Sequence, residues 1–455
     1  MGLHSDSRLD TIVALATPPG RSAIAVVRLS GEDVRAAIAR VAPRLCRPLE
    51  PRRATLASIA DAQGETIDRA MVTFFPAPSS YTGEDVAEIC VHGSPVVVER
   101  LLAALNRAGA RLARPGEFTE RAFANGKMDL PRAEAVRELI EARTAAAARL
   151  SARRLEGDLS RRLTAVREDL MAAAASLGAA IDFAEDVGEA IPDEVGKSLA
   201  SAAAELARLI RSYETGRLLS AGCRVAVLGR PNAGKSTLFN ALAGSARAIV
   251  TEVPGTTRDT LEAMIDVGGI PVTVVDTAGL RRTEDPVERI GVERARAEAE
   301  KADAILYVLD AAQGTAAEDH EALEAMSGKK VLRIANKIDR AAPERIAAAG
   351  DVALALCGLA PDAGERLRAL LAGEIGSRVD TESSCEVLFS LRQRDLAERA
   401  RAAAARAGES LGRGESPEYA ASHVHEAIDA MADLFGETTA EDVLQRIFAT
   451  FCIGK

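Results

Sequence analysis

The chain has 455 residues, 47% of them hydrophobic but only 3% aromatic and none tryptophan, which suits two or three domains with aliphatic, alanine-rich cores. A formal net charge of −10 excludes a general electrostatic grip on nucleic acid, so any RNA contact needs a local basic face. The six cysteines are scattered without a Cys-x-x-Cys spacing, which excludes a disulfide framework or zinc ribbon. No run of about 18 apolar residues offers a membrane span, and Met1-Gly-Leu-His-Ser-Asp lacks the regions of a signal peptide, so the chain reads as cytoplasmic with no membrane partner.

Residues 1–127 read as an α+β domain. Thr11–Ala16, Ser22–Leu29 and Ala70–Phe75 are strand-like apolar runs, and Arg35–Ala42 and Val96–Ala108 have helical spacing. Two polar stretches, Ser80-Tyr-Thr-Gly-Glu-Asp-Val-Ala-Glu88 and Arg114–Lys127, read as turn-rich loops that are either simply solvated or carry a site. From Met128 to about Tyr213 the composition is helical, with an alanine run at 145–148. Asp182–Pro192 interrupts it as an acidic loop, solvated or able to hold a metal, and Thr215–Gly222 reads as a linker.

The next segment carries the chemistry. Arg224–Leu228 is a short apolar run, and Thr237–Ala243 has helical spacing. Between them Gly229-Arg-Pro-Asn-Ala-Gly-Lys235-Ser236 fits Gly-x4-Gly-Lys-Ser/Thr. Alone it could be a chance glycine-rich turn. At a strand-to-helix turn its amides and the helix N-terminus can surround phosphate oxygens, with Lys235 on the β/γ-phosphates and Ser236 on Mg²⁺. Val272–Gly279 follows as a buried strand ending in Asp276, which can hold Mg²⁺ through water, and in Gly279, whose N–H can meet a γ-phosphate. Val331–Asp339 is another strand ending in Asn336-Lys337-Ile-Asp339, a guanine reader. The Asp339 carboxylate can accept from guanine N1–H and the 2-amino group together; adenine would leave it poorly paired, so the site prefers GTP. Pro254-Gly255-Thr256-Thr257-Arg258-Asp259 lies where a switch threonine belongs. Leu280 stands where Ras-type proteins carry a water-orienting Gln. Asn232 offers a side-chain carbonyl to a K⁺ beside the β–γ bridge. Glu288 is either a water-positioning group or an acid at a helix start.

Val387–Leu411 and Pro417–Leu434 then return to the earlier helical composition. This suggests one helical bundle interrupted by the inserted GTPase domain, against the alternative of two separate helical domains. The apolar tail Arg446–Lys455 reads as a docked segment, and its Cys452 is either an idle thiol or a reactive one.

Several stretches carry a family likeness: Asp10-Thr-Ile-Val-Ala, Ala16-Thr-Pro-Pro-Gly-Arg21, Ser80-Tyr-Thr-Gly-Glu-Asp-Val, Arg114-Pro-Gly-Glu-Phe-Thr-Glu-Arg-Ala-Phe, the GTPase motifs, and the terminal Phe-Cys-Ile-Gly-Lys. Over essentially its whole length the chain resembles the MnmE (TrmE) family of bacterial tRNA-modification GTPases. The resemblance implies a multidomain fold. Residues 1–127 would form the α+β folate-binding and dimerisation domain, 128–219 with 380–455 a discontinuous all-α helical bundle, and 220–379 an inserted α/β P-loop GTPase domain. It implies a homodimer acting on tRNA with the flavin-dependent partner MnmG (GidA) in a heterotetramer-type complex. Together they would add a carboxymethylaminomethyl-type group at C5 of the wobble uridine, with methylene- or formyl-tetrahydrofolate as one-carbon source.

The resemblance also implies residue roles. The folate derivative falls to Arg28, Glu88, Lys127 and Lys455, and K⁺ to Asn232, the carbonyls of Thr251 and Val253, and Thr256. Mg²⁺ falls to Ser236 and Thr257, and water positioning to Glu288, with Asn232 and Lys235 as its catalytic companions. GTP would be lined by 232–237 (Asn232, Ala233, Gly234, Lys235, Ser236, Thr237), by Thr251, Glu252, Val253, Pro254, Gly255, Thr256 and Thr257, by Asp276, Thr277, Ala278 and Gly279, and by Asn336, Lys337 and Asp339. Cys357-Gly358-Leu359 stands where the family usually reads Ser-Ala-x; there Gly358 can still offer a backbone N–H to the guanine carbonyl. A regulatory GTPase docking on a ribosomal subunit is the other reading, but no Gly-x-x-Gly RNA clamp is placed to support it.

Overall fold

The computed structural model describes residues 10–45, 49–182, 193–244, 261–276, 296–348, 351–376 and 387–455. The chain divides into two units, one of residues 1–137, 154–200 and 402–455, the other of 138–153 and 201–401.

The first unit begins with strands β1 (Ile12–Leu15) and β2 (Ser22–Ser30), helix α1 (Val34–Val41), strands β3 (Thr55–Ala60), β4 (Thr66–Phe75) and β5 (Val86–Gly93), helix α2 (Pro95–Arg107), strand β6 (Arg111–Leu112) and helix α3 (Glu117–Ala124). The sheet order is β3-β4-β5-β2-β1-β6, antiparallel except for the β1–β6 pair. Alternation decides its faces. Val27, Leu29, Ile59, Val72, Phe74, Ile89 and Val91 point to one side, where they pack with Val34 and Ile38 of α1 and Leu101 and Leu105 of α2. The intervening residues point to the other side, and register sets Arg28 directly opposite Glu88.

Two sequence readings are corrected here. The stretch Ser80–Glu88 is not all loop, because β5 starts at Val86. Arg114–Lys127 is not a loop either, since α3 occupies Glu117–Ala124. Its charges misled because they satisfy one another inside the protein: Glu117 is 2% and Arg121 6% exposed. Glu117 accepts from Arg111 Nη1 at 2.9 Å, from the Arg114 backbone N–H at 2.7 Å and from Arg121 Nη2 at 3.3 Å. Arg121 also donates to the Asp10 carboxylate at 2.8 Å and to Glu84 at 3.1 Å.

The helices follow as α4 (Leu130–Glu141), α5 (Ala145–Leu155), α6 (Asp158–Asp182), α7 (Asp193–Arg211) and α8 (Tyr213–Ala221). Residues 183–192, read as an acidic loop, lie outside the described set. In α6 the buried Leu163, Val166, Leu170, Ala173 and Leu177 fall at helical spacing. That stripe packs against α13 (Pro417–Phe435), which buries Val424, Ala427, Met431 and Leu434. Segments on either side of the second sheet in sequence therefore share one helical core, and the interrupted-bundle reading holds. The tail docks as expected: after α14 (Glu441–Ala449), Phe448 and Phe451 are buried with Leu130.

The second unit is built on strands β7 (Cys223–Leu228), β8 (Leu261–Val267), β9 (Ile270–Asp276), β10 (Ala304–Asp310), β11 (Val331–Asn336) and β12 (Leu354–Ala355). Their order is β12-β11-β10-β7-β9-β8, parallel but for the antiparallel edge strand β8. Both faces are covered, so the strands read as unbroken apolar runs. Val225, Val227, Val274, Leu306 and Val308 meet helices α9 (Lys235–Gly244) and α11 (Ala363–Gly376), while Ala226, Leu228, Ile305 and Leu309 meet Leu323 of α10 (Ala317–Ala325). Of the expected linker Thr215–Gly222, all but the capping Gly222 is instead part of α8, with Tyr213, Thr215, Leu218 and Leu219 buried. A Cβ on Gly216 would lie 2.1 Å from the Leu388 carbonyl oxygen, so this glycine permits close packing rather than a bend. The long α12 (Leu391–Gly412) leads the chain to α13.

Burial pushes the Glu117 carboxyl up, but the bonds from Arg111 and Arg114 and the nearby Arg121 outweigh it and hold the group below its ordinary value. A depressed carboxylate contributes stability above its unfolded pKa and loses it as pH falls through the folded one. Glu117→Gln should therefore cost about 3 kcal/mol at neutral pH and flatten the acid side of the stability profile. Urea unfolding from pH 7 down to pH 3 checks this; identical acid profiles for both proteins would refute the role.

Candidate functional site

The nucleotide motifs converge at the carboxyl ends of the parallel strands, where ligands bind in open α/β sheets. β7 ends at Leu228 and α9 begins at Lys235, so the loop between them presents its amides and the first turn of α9, with Ser236 and Thr237, to one point. Asn232 holds a left-handed φ of +62°. Gly234 has φ +99°, and a Cβ there would fall 2.1 Å from Asn336 Nδ2, so no other residue fits. Lys235 Nζ donates to the carbonyls of Gly229 at 2.9 Å and Arg230 at 2.8 Å. Burial pulls its pKa down, and the charge of Asp276, fully buried at the end of β9, works against that.

Asn336 ties this loop to the base-reading segments. Its amide is 2% exposed. Nδ2 donates to the Ala233 carbonyl at 2.9 Å, while Oδ1 accepts from the backbone N–H of Lys337 and of Gly358, each at 2.8 Å. This changes the reading of Cys357-Gly358-Leu359. The Gly358 N–H expected to face a guanine carbonyl is already given to Asn336, because a buried carbonyl oxygen with two lone pairs takes two donors. Leu359 is 76% exposed and Cys357 half-buried. Lys337, left-handed at φ +63°, donates from Nζ to the Asn232 carbonyl at 2.6 Å and to Asp310 Oδ2 at 2.8 Å. Burial alone would raise the Asp310 carboxyl, yet the Lys337 ammonium leaves it below its ordinary value. Asp339 sits on a short 3₁₀ turn with its carboxylate partly exposed, 3.5 Å from Arg340 Nε.

Sequence reasoning missed the anchor beneath the loop. Asp319 is fully buried and accepts from Arg230 Nε at 2.9 Å, from the Tyr307 hydroxyl at 3.0 Å and from the Ala316 N–H at 2.9 Å. Burial and the Asp319 charge push the Tyr307 hydroxyl well above its ordinary pKa. In sequence Asp319 looks like any acid in a first helical turn. Thr251, Glu252, Val253, Pro254, Gly255, Thr256, Thr257, Thr277, Ala278, Gly279, Leu280 and Glu288 lie outside the described residues.

A second cluster lies on the polar face of the first unit's sheet. Arg28 donates to Glu88 Oε1 from Nε at 3.0 Å and Nη2 at 2.8 Å, and from Nη1 to the Gly454 carbonyl at 3.5 Å. Its guanidinium carbon lies 5.5 Å from the Tyr81 ring centroid and 5.9 Å from that of Phe118. The tail reaches it by main-chain bonds to the start of α3, Gly116 N–H to the Cys452 carbonyl and Phe118 N–H to the Lys455 oxygen at 3.2 Å. Gly454 has φ +92°, and a Cβ there would lie 2.4 Å from the Leu15 carbonyl. Burial, then the neighbouring Arg28, lower the Lys455 pKa, opposed by Glu88 and Cys452. Arg28, Glu88, Lys455 and the exposed Cys452 are thus brought together, whereas Lys127 Nζ bonds the Pro78 carbonyl at 2.9 Å. Among the described residues no three His, Cys, Asp or Glu side chains group as a metal site, and no helix is long and apolar enough to cross a membrane.

A family profile described as GTP-binding protein TrmE N-terminus matches residues 11–127, and one described as MnmE helical domain matches residues 130–452. The chain is 40% identical over 451 residues to the tRNA modification GTPase MnmE of Aquifex aeolicus (strain VF5), covering 98% of this chain and 100% of that one. It is 45% identical over 461 residues to the tRNA modification GTPase MnmE of Azoarcus sp. (strain BH72), covering 98% of each. It is 42% identical over 450 residues to that of Methylococcus capsulatus (strain ATCC 33009 / NCIMB 11132 / Bath), covering 98% and 99%.

Asn336→Ala removes three hydrogen bonds at once and leaves three main-chain groups to be satisfied elsewhere. At about 1 kcal/mol net per bond, guanine-nucleotide affinity should fall roughly a hundredfold or more, with a lower melting temperature. Titration with a fluorescent GDP analogue checks this; wild-type affinity would show that the clamp does not shape the site.

Proposed function

Because the chain belongs to the MnmE family of tRNA modification GTPases, we propose that its GTP hydrolysis is K⁺-stimulated and drives C5 aminomethyl-type (carboxymethylaminomethyl) modification of the wobble uridine of certain tRNAs. The observation that carries this reading is the joining, in one chain, of a P-loop clamped to a guanine reader by Asn336 with a separate polar cluster of Arg28, Glu88 and Lys455.

GTP hydrolysis is the reaction of the second unit. A water oxygen attacks the γ-phosphorus as the bond to the β–γ bridging oxygen breaks, giving GDP and phosphate. Lys235, now resting on two loop carbonyls, exchanges them for β/γ-phosphate oxygens. Asp339 accepts from the guanine N1–H and 2-amino group. Ser236 at a helix start and the buried Asp276 form a hard oxygen set that suits Mg²⁺, completed by Thr257. Asn232, Thr251, Val253 and Thr256 would hold K⁺, which supplies positive charge at the bridging oxygen. Glu288 positions the water, a role that Leu280 cannot fill.

In the first unit, Glu88 suits the amino-pyrimidinone edge of a pterin and Lys127 and Lys455 the glutamate tail of a tetrahydrofolate derivative. The fit rests on the half-buried Arg28–Glu88 pair beside two aromatic rings. When bound, a methylene- or formyl-tetrahydrofolate supplies the one-carbon unit. The rest of the reading is a cytoplasmic homodimer working with the flavin protein MnmG on tRNA. Its domains are 1–127, 128–219 with 380–455, and 220–379.

The purified chain should hydrolyse GTP several-fold faster in K⁺ than in Na⁺ at equal ionic strength; equal rates would remove the K⁺ site. Asp339→Asn should weaken GTP binding and relax base choice. Competition between GTP and ATP checks it, and undiminished discrimination would remove Asp339 as the reader.

A further inference from the structure

We propose that Asp319 is a positioning residue for GTP hydrolysis: through the Arg230 side chain it sets the place from which the Lys235 ammonium meets the γ-phosphate. This role rests on hydrolysis at the phosphate loop, and Asp319 lies outside every nucleotide motif.

The anchor is built from elements beyond the loop. Asp319 is fully buried in the first turn of α10, where the helix N-terminus favours a negative charge. Tyr307 of β10 donates to its Oδ1 at 3.0 Å, and the Ala316 N–H donates to its Oδ2 at 2.9 Å. Both donors sit on regular structure or at its start, so the carboxylate has a fixed place. A buried charge is costly to keep, and its best attested use is to fix one arrangement over others.

Here the arrangement fixed is that of Arg230. Its Nε lies 2.9 Å from Asp319 Oδ2 and its Nη2 donates to the Gly314 carbonyl at 2.6 Å, which leaves the side chain only 20% exposed. The same residue's backbone carbonyl accepts from Lys235 Nζ at 2.8 Å, beside that of Gly229 at 2.9 Å. An ammonium has three N–H groups. Two of them are aimed by these carbonyls, so the direction of the third follows the Arg230 backbone.

The rest of the loop has separate supports. The Asn232 carbonyl takes Lys337 Nζ at 2.6 Å, and the Ala233 carbonyl takes Asn336 Nδ2 at 2.9 Å. Those supports belong to the guanine-reading end of β11, whereas Asp319 holds the loop from β10 and α10. Loss of the anchor should therefore disturb Lys235 while base recognition stays in place. Charge develops on the transferring phosphoryl group, and there a displaced ammonium costs rate more than ground-state binding.

The test uses the full chain, with GTP turnover and titration with a fluorescent GDP analogue. Asp319→Asn keeps the shape and loses the charge; kcat should fall roughly tenfold while GDP affinity stays within about twofold of the parent. Arg230→Met should give the same split. The double variant should be no slower than the slower single one, because both changes act through one bond. Tyr307→Phe is the structural control. It takes a donor from the buried carboxylate and should lower the melting temperature, yet it leaves the Arg230 bond and should keep kcat within about twofold. A parent chain without GTP hydrolysis removes both this role and the reading beneath it. A parent that hydrolyses GTP, with unchanged kcat in Asp319→Asn and Arg230→Met, overturns this role alone. So does a kcat loss matched by an equal loss of GDP affinity, an additive loss in the double variant, or an equal kcat loss in Tyr307→Phe, since each describes a residue that merely holds the fold. Should Asp319→Asn fold poorly, Arg230→Met set against Tyr307→Phe still decides.

Discussion

One side-chain amide sets the geometry of the nucleotide site. Asn336 has two donors and two lone pairs. It commits one donor to Ala233 in the phosphate loop and both lone pairs to the amides of Lys337 and Gly358. Three segments far apart in sequence are thereby fixed relative to one atom group at the end of β11, and the amide's remaining N–H is the one left for a base. The phosphate loop is pinned from a second direction by the buried Asp319 through Arg230. A loop held at both its ends and its middle has little reorganisation left to undergo when charge develops at the β–γ bridge, which is the condition for electrostatic preorganisation.

The first unit uses the same device with charges. Arg121 and Glu117 are nearly fully buried, and each has several partners, so neither is left with an uncompensated charge. What they secure is α3, and the start of α3 carries the main-chain groups that seat the tail. The polar cluster around Arg28 thus depends, through the tail, on an ion network of which it is not itself a part.

The sequence disclosed the strand, loop and helix around the phosphate loop and the strand that ends at Asn336, because those motifs are contiguous and their spacing follows from local geometry. It misplaced what depends on contacts between distant segments. The charges of Arg114–Lys127 looked solvated because nothing in their order shows that Asp10, Glu84 and Arg111 meet them inside. Gly216 looked like part of a linker because a glycine chosen for close packing against Leu388 is indistinguishable in sequence from one chosen for freedom. Gly358 looked available to a base because its claim on Asn336 arises only when β11 and β12 lie side by side. Arg28 and Glu88, 60 positions apart and grouped with Lys127 and Lys455 through family resemblance, are hydrogen-bonded to each other, and the register between β2 and β5 supplies the physical reason.

The bond from Arg28 to Gly454 also has a bearing on biosynthesis. It joins residues 426 positions apart, whereas the strands of the first sheet all lie within residues 12–112. At synthesis rates of about 5–20 residues per second, the sheet leaves the ribosome roughly 17 to 70 seconds before the tail that completes its polar face. During that interval the half-formed cluster exposes an arginine–glutamate pair and two aromatic rings without their C-terminal cover. The complete polar cluster of the first unit is therefore a late event in the life of each chain, and a nascent or shortened chain can own a folded sheet while lacking that cluster.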